Sequence, residues 1–170
     1  MSPADSKNVC GHAPGAQGSP GLRTTERTLQ PMTDFVQITD RPISADPLIA
    51  AVRRDGHGAV VTFVGTVRSP SRAKDVLYIE YEAFTEMALK RLEAIRSEVE
   101  ERWQIEDVAV WHRVGKVMTG EAAVVIVVAS PHRKEAFAAC QYVIDRIKQT
   151  VPIWKKEVYS DGSAWVTESA

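Results

Sequence analysis

A chain of 170 residues with 44% hydrophobic and 25% charged residues has the length and composition of one globular domain with room for a core. Its formal net charge of −1 argues against a general nucleic-acid or membrane-surface binder, since those carry a basic excess over the whole domain; any basic site here is local. The longest apolar run, AAVVIVVA at 122–129, is too short to cross a bilayer, the start of the chain lacks a signal-peptide core, and two cysteines do not make a disulfide framework, so the expected location is cytoplasmic.

Residues 1–31 are rich in glycine, proline and small polar residues and bury too little apolar surface to offset the entropy of ordering, which predicts a disordered leader ahead of a folded domain at 32–170. Cys10 and His12 within it do not make a metal site. Order is expected from Asp34, where FVQIT alternates as a strand. Ser44 then caps a short helix at 45–54, with Leu48, Ile49 and Val52 on one side and Gly56 and Gly58 ending it. AVVTFVGTV at 59–67 reads as a largely buried strand in which Gly65 marks a bulge or a close backbone approach. Arg68 follows at the mouth of a polar loop, SPSRAKD; taken alone it is a solvated strand-end charge.

Alternation predicts a strand at 76–83, and a stripe of Ala88, Leu92, Ile95, Val99 and Trp103 predicts an amphipathic helix at 85–103 whose apolar side is core. A strand at 108–114 follows, with His112 expected as a half-exposed sheet residue rather than a ligand. Residues 115–120 are expected to turn, and 121–129 to form the most buried strand.

The stretch ASPHRKEAF places Ser130 as a helix cap and Pro131 at the first helical position. Phe137, Cys140, Ile144 and Ile147 then line one face, and His132 and Arg133 fall in the first turn. Unpaired N–H groups and the positive end of the macrodipole gather there, so an added imidazole and guanidinium make an anion site. Lys148 closes the helix, where a cation is also expected for structural reasons. In KQTVPIWKKE, Pro152 stops the helix and turns the chain, which can bring Lys148 and Lys155 to one place. A strand at 153–159, a hairpin turn at 160–163 and a return at 164–167 complete an α+β arrangement, an antiparallel or mixed sheet with packed helices.

The chain has no GxSxG elbow, P-loop, GxGxxG or zinc cysteine pair. What remains is a cationic set: Arg68, His132, Arg133, Lys148, Lys155 and Lys156. Clustered lysines depress one another's pKa and yield an amine able to move protons, while arginines hold phosphate. Acyl or thioacyl chemistry on an anionic substrate fits this set.

The segments VTFVGTVRSP, VWHRVGKVMTGE, SPHRKEAFAACQYVIDRIKQTVPIWKKE and DGSAWV closely resemble the large, catalytic subunit of molybdopterin synthase, the MoaE family, over about residues 34–166. The resemblance implies an α/β hammerhead-type fold and a sulfurtransferase. It implies a homodimer carrying two copies of a small ubiquitin-like, MoaD-like sulfur carrier, hence a heterotetramer. The carrier's C-terminal Gly-Gly thiocarboxylate would supply sulfur to cyclic pyranopterin monophosphate (precursor Z), with neither a metal nor a cofactor. It further implies Lys155 as principal catalytic lysine and Lys148 where the carrier tail arrives. Substrate binding is implied at Thr66, Val67, Arg68, His132, Arg133, Lys148, Lys155, Lys156 and Glu157. Arg133 would act from either protomer. Thr66 stands where relatives can carry lysine, so the contact implied there is not ionic. The competing readings are a noncatalytic adaptor for a ubiquitin-like tail and an enzyme acting on another cyclic phosphate without a carrier.

Overall fold

The computed structural model describes residues 34–71 and 74–166. In chain order these form β1 (Val36–Thr39), α1 (Ala45–Val52), β2 (Ala59–Thr66), β3 (Val76–Ala83), α2 (Thr85–Trp103), β4 (Val108–Arg113), β5 (Gly115–Met118), β6 (Ala122–Ser130), α3 (Arg133–Thr150), β7 (Ile153–Tyr159) and β8 (Gly162–Val166). The expected leader at 1–31, with Cys10 and His12, lies outside the described residues, as does Thr167.

The strands make two four-stranded sheets, ordered β1-β4-β6-β2 and β5-β3-β7-β8. Only β1 and β4 pair in parallel and every other pairing is antiparallel, so the first sheet is mixed and the second antiparallel, within the expected arrangement. In the first sheet, alternate residues of β4 and β6 point to opposite faces. Val108, Val110, Val124, Ile126 and Val128 pack under α2 and α3, while Ala109, Val125, Val127 and Ala129 pack under α1. Helices on both sides explain why β6 is apolar without interruption. Fully burying each such side chain contributes roughly 1.5–3 kcal/mol, so this central strand is the energetic middle of the fold.

Five expectations need correction. Strand β2 is not largely buried: it is a sheet edge, and α1 is too short to cover its outer end, so Thr62, Val64 and Thr66 stay exposed. Residues 115–120 are not a plain turn, because 115–118 pair with β3 as β5 before Thr119 and Gly120 turn. Helix α3 starts at Arg133 instead of Pro131, since Ser130 is still held in β6 opposite Ala59. Phe137 is 63% exposed rather than core; Ala136, Ala139 and Val143 bury beside Cys140, Ile144 and Ile147. Helix α1 also ends at Val52, two residues earlier than expected, with Arg53 extended beyond it.

The bulge expected at Gly65 is present. The β2–β6 register shifts between Gly65 and Thr66, and a Cβ on Gly65 would lie 2.7 Å from Val124. Among the described residues no helix is long and apolar enough to cross a membrane.

Candidate active site

The ends of the first sheet define two poles. At the first, β2 finishes, β6 begins and β4 passes into the second sheet through β5. Helix α3 follows β6 after two residues and packs back over β6 and β2, so its C-terminus returns to this same pole and feeds β7. The second pole holds the start of β2, the end of β6 and the start of α3.

Arg68 leaves the sheet at the first pole. Val67 fixes it: its side chain is buried with Val76, Ile79, Val117 and Ala123. Its N–H donates to the Glu121 carbonyl at 3.0 Å, and its carbonyl accepts from the Gly120 N–H at 2.7 Å. Thr66 and Arg68, on either side, are exposed. The loop beyond is pinned where the Val76 N–H donates to Ser69 Oγ at 3.1 Å, and where Ser71 and Lys74 exchange backbone hydrogen bonds of 2.9 Å.

Strand β7 divides its charged residues by alternation. Lys155 and Glu157 share the face that Tyr81 and Ile79, their partners on β3, turn toward the core. Lys156 is on the other face, with its ammonium 5.8 Å from the centre of the Trp165 ring, so Lys155 and Lys156 do not share one site. Glu157 is 4% exposed, and both of its oxygens are engaged. The Ser71 hydroxyl donates to Oε1 at 3.2 Å and the Tyr159 hydroxyl to Oε2 at 2.7 Å. Burial, with the nearby Glu157 charge, pushes the Tyr81 hydroxyl up to about 12. The Tyr81 ring meets His112 edge-on at 5.3 Å.

His112 is buried at 7% exposure, not half-exposed as its alternating strand suggested: it shares the face of β4 on which Val108 and Val110 join the core with α2 and α3, and the Tyr81 ring of the second sheet packs on it. Its Nδ1 lies 2.7 Å from the Arg113 carbonyl. A carbonyl only accepts, so Nδ1 carries the proton and the ring is the neutral Nδ1–H tautomer. Burial lowers its pKa to about 4 despite that hydrogen bond.

Lys148 occupies the exposed last turn of α3. Val151 is extended at φ −83, ψ 126, as a residue before proline prefers, and the Pro152 carbonyl accepts from the Phe84 N–H at 3.2 Å. The turn thereby starts β7, with Lys155 its third residue, from the end of α3 that carries Lys148, at the pole where Arg68 leaves β2.

His132 and Arg133 are at the other pole. His132 is the extended cap residue of α3, not a member of its first turn, and its N–H donates to Ser130 Oγ at 3.4 Å. Arg133 is the first helical residue; both side chains are exposed. The preceding Pro131 sits tightly against Gly58, on which a Cβ would be 2.6 Å from the Pro131 carbonyl oxygen. Asp107 braces the same corner through an ion pair to Arg54 at 3.1 Å and a contact with His57 Nε2 at 3.4 Å. Along α3, at 1.5 Å per residue, Arg133 is about 22 Å from Lys148. One chain therefore does not bring the histidine–arginine pair to the lysines.

Sequence reasoning did not single out Tyr81, Ser71 or Tyr159. The YIEYEA alternation hinted that Tyr81 faces inward, but its place opposite Lys155 depends on β3 pairing with a strand some seventy positions away. Among the described residues, no group of three or more His, Cys, Asp or Glu side chains suits a metal ion.

A protein-family model described as MoaE protein matches residues 38–150. A molybdopterin synthase catalytic subunit from Bacillus subtilis (strain 168) is 48% identical over 130 residues, which cover 76% of this chain and 83% of that protein. The crystal structure of molybdopterin synthase from Staphylococcus aureus matches with a TM-score of 0.77 at 40% identity, covering 79% of this chain and 98% of that one. A chain from the complex of subunits 1 and 2 of the molybdopterin-converting factor of Helicobacter pylori 26695 shares the fold, with a TM-score of 0.66 at 18% identity, covering 80% of this chain and 92% of that one.

Proposed function

The chain belongs to the MoaE family, and from that premise we propose how its residues carry out the family's sulfur transfer. The activity is that of the catalytic subunit of molybdopterin synthase, a sulfurtransferase of molybdenum cofactor biosynthesis. The sulfur donor is the C-terminal Gly-Gly thiocarboxylate of a small ubiquitin-like carrier, and the acceptor is cyclic pyranopterin monophosphate. The Helicobacter pylori factor, solved as a complex of two subunits, supports a second protein as donor. The protein works in the cytoplasm, where a thiol such as Cys140 stays free.

The observation that supports this reading is topological: Arg68 leaves β2 and Lys148 ends α3 at one pole, β7 with Lys155 starts from it, and His132 and Arg133 stand at the other. Lys148, exposed at the end of α3, receives the carrier's tail. Lys155, on the inward face of β7, moves the proton as the thioacyl group reacts, in surroundings that exclude part of the solvent. Arg68 binds the cyclic phosphate from the mouth of its loop. His132 and Arg133 supply the second half of the phosphate site from another copy of the chain, so the working unit is a homodimer with two carriers. The distance along α3 supports this, as does the open β2 edge with Val64 44% exposed.

The test combines purified protein, thiocarboxylated carrier and cyclic pyranopterin monophosphate, with molybdopterin as readout. Lys155→Ala should lower turnover by about a hundredfold or more while carrier binding persists. Mixing the inactive variants Lys155→Ala and Arg133→Ala should restore roughly a quarter of the wild-type activity, since half the dimers are mixed and each has one intact site. Full turnover by Lys155→Ala would leave an adaptor role; absence of complementation would put Arg133 and Lys155 in separate functions.

A further inference from the structure

The loop after β2 is anchored on the catalytic strand through a buried carboxylate. Glu157 is two residues past Lys155 on the same face of β7 and almost inaccessible, and it accepts from two hydroxyls, Ser71 at 3.2 Å and Tyr159 at 2.7 Å. A buried carboxylate is costly without donors, so each of these bonds is strongly favoured once formed. Tyr159 is on the same strand; Ser71 arrives from the loop that carries Arg68. Lys74 adds an exposed ion pair to Asp161 at 3.2 Å and lies 5.1 Å over the Tyr159 ring. Exposed pairs of this kind contribute little, which leaves Ser71 as the main tie.

We propose that the Ser71–Glu157–Tyr159 hydrogen bonds form a clamp that positions Arg68 over the Lys155 strand, making Ser71 and Glu157 positioning residues for the reaction. Arg68 stands between two fixed points, the Val67 anchor in the core and Ser71 on β7. With both in place the guanidinium samples a short arc near Lys155; without the Ser71 hydroxyl the loop keeps Val67, the Ser69–Val76 bond and the Ser71–Lys74 backbone pair but loses its buried tie to β7. Glu157, with its oxygens already occupied, acts from behind the site and does not contact substrate. This deepens the functional reading above and rests on Arg68 as the phosphate ligand.

Ser71→Ala should raise KM for the cyclic phosphate about tenfold, the scale set by losing one hydrogen bond to a charged group, with kcat and carrier affinity unchanged. Ser71→Thr, which keeps the hydroxyl, should restore KM. Limited trypsin digestion within residues 68–75 should quicken in Ser71→Ala and not in Ser71→Thr. An unchanged KM in Ser71→Ala, or a fall in kcat at constant KM, would overturn the clamp. If the wild-type protein fails to make molybdopterin, the functional reading falls, while the digestion rates still decide whether Ser71 holds the loop.

Discussion

His112 ties the stability of the molecule to pH. Folded, it titrates near 4; unfolded, near its ordinary 6.5, so between these values the unfolded chain binds the additional proton. Stability is therefore complete above 6.5 and falls as the pH drops toward 4, by about 3 kcal/mol over the whole window. Glu98 adds a lower step: its hydrogen bonds from Arg146 and then Tyr142 bring its carboxyl down to about 2, so that contribution is lost from 4.5 downward. Urea unfolding at a series of pH values should show both, and His112→Gln should flatten only the upper one; an unaltered upper slope would mean the imidazole is not what titrates. The identity of the cations was legible at this scale because they occur at chain breaks: Arg68 past a strand, His132 and Arg133 at a helix start, Lys148 before Pro152. The inward environment of His112 and Tyr81 was not. A strand's alternation shows two faces without showing that helices cover one of them and another sheet meets it.

Between α3 and β7, Pro152 decides where a helical lysine stands relative to a strand lysine. Its ring ends the ladder and keeps Val151 extended, whereas the carbonyl bond from Phe84 would survive any side chain. Pro152→Ala is thus expected to cost turnover about tenfold by misplacing Lys148, with the unfolding midpoint moving only a few degrees. Parallel activity and melting measurements check this, and full turnover in the variant would remove the proline from the mechanism. Helix α2 and strands β3 and β7 were readable to the residue because each has sustained periodicity of its own. The opposite case is β5, whose short GKVM is a strand only because β3 is beside it, with Ile79 opposite Val117 and Tyr78 opposite Met118. Ser130 likewise looked like a cap, and its hydrogen bonds to β2 hold it in the sheet instead.

For the whole molecule, the α+β class followed from the order of elements, while the division into two sheets did not, since β3 with β7 and β1 with β4 are pairings between distant segments. That division creates the two poles, and α3 connects them as a rigid spacer. On the proposed reading each reaction centre takes one pole from each chain, and this makes catalysis subject to mass action. Specific activity should stay constant while the dimer is intact, then decline on dilution in step with the fraction dissociated, and return on reconcentration. Sedimentation and rate measurements across one dilution series would follow the two quantities together; a rate per chain that stayed level through dissociation would show a single chain to be sufficient. The length of one helix thereby turns an enzyme's rate constant into a function of its own concentration.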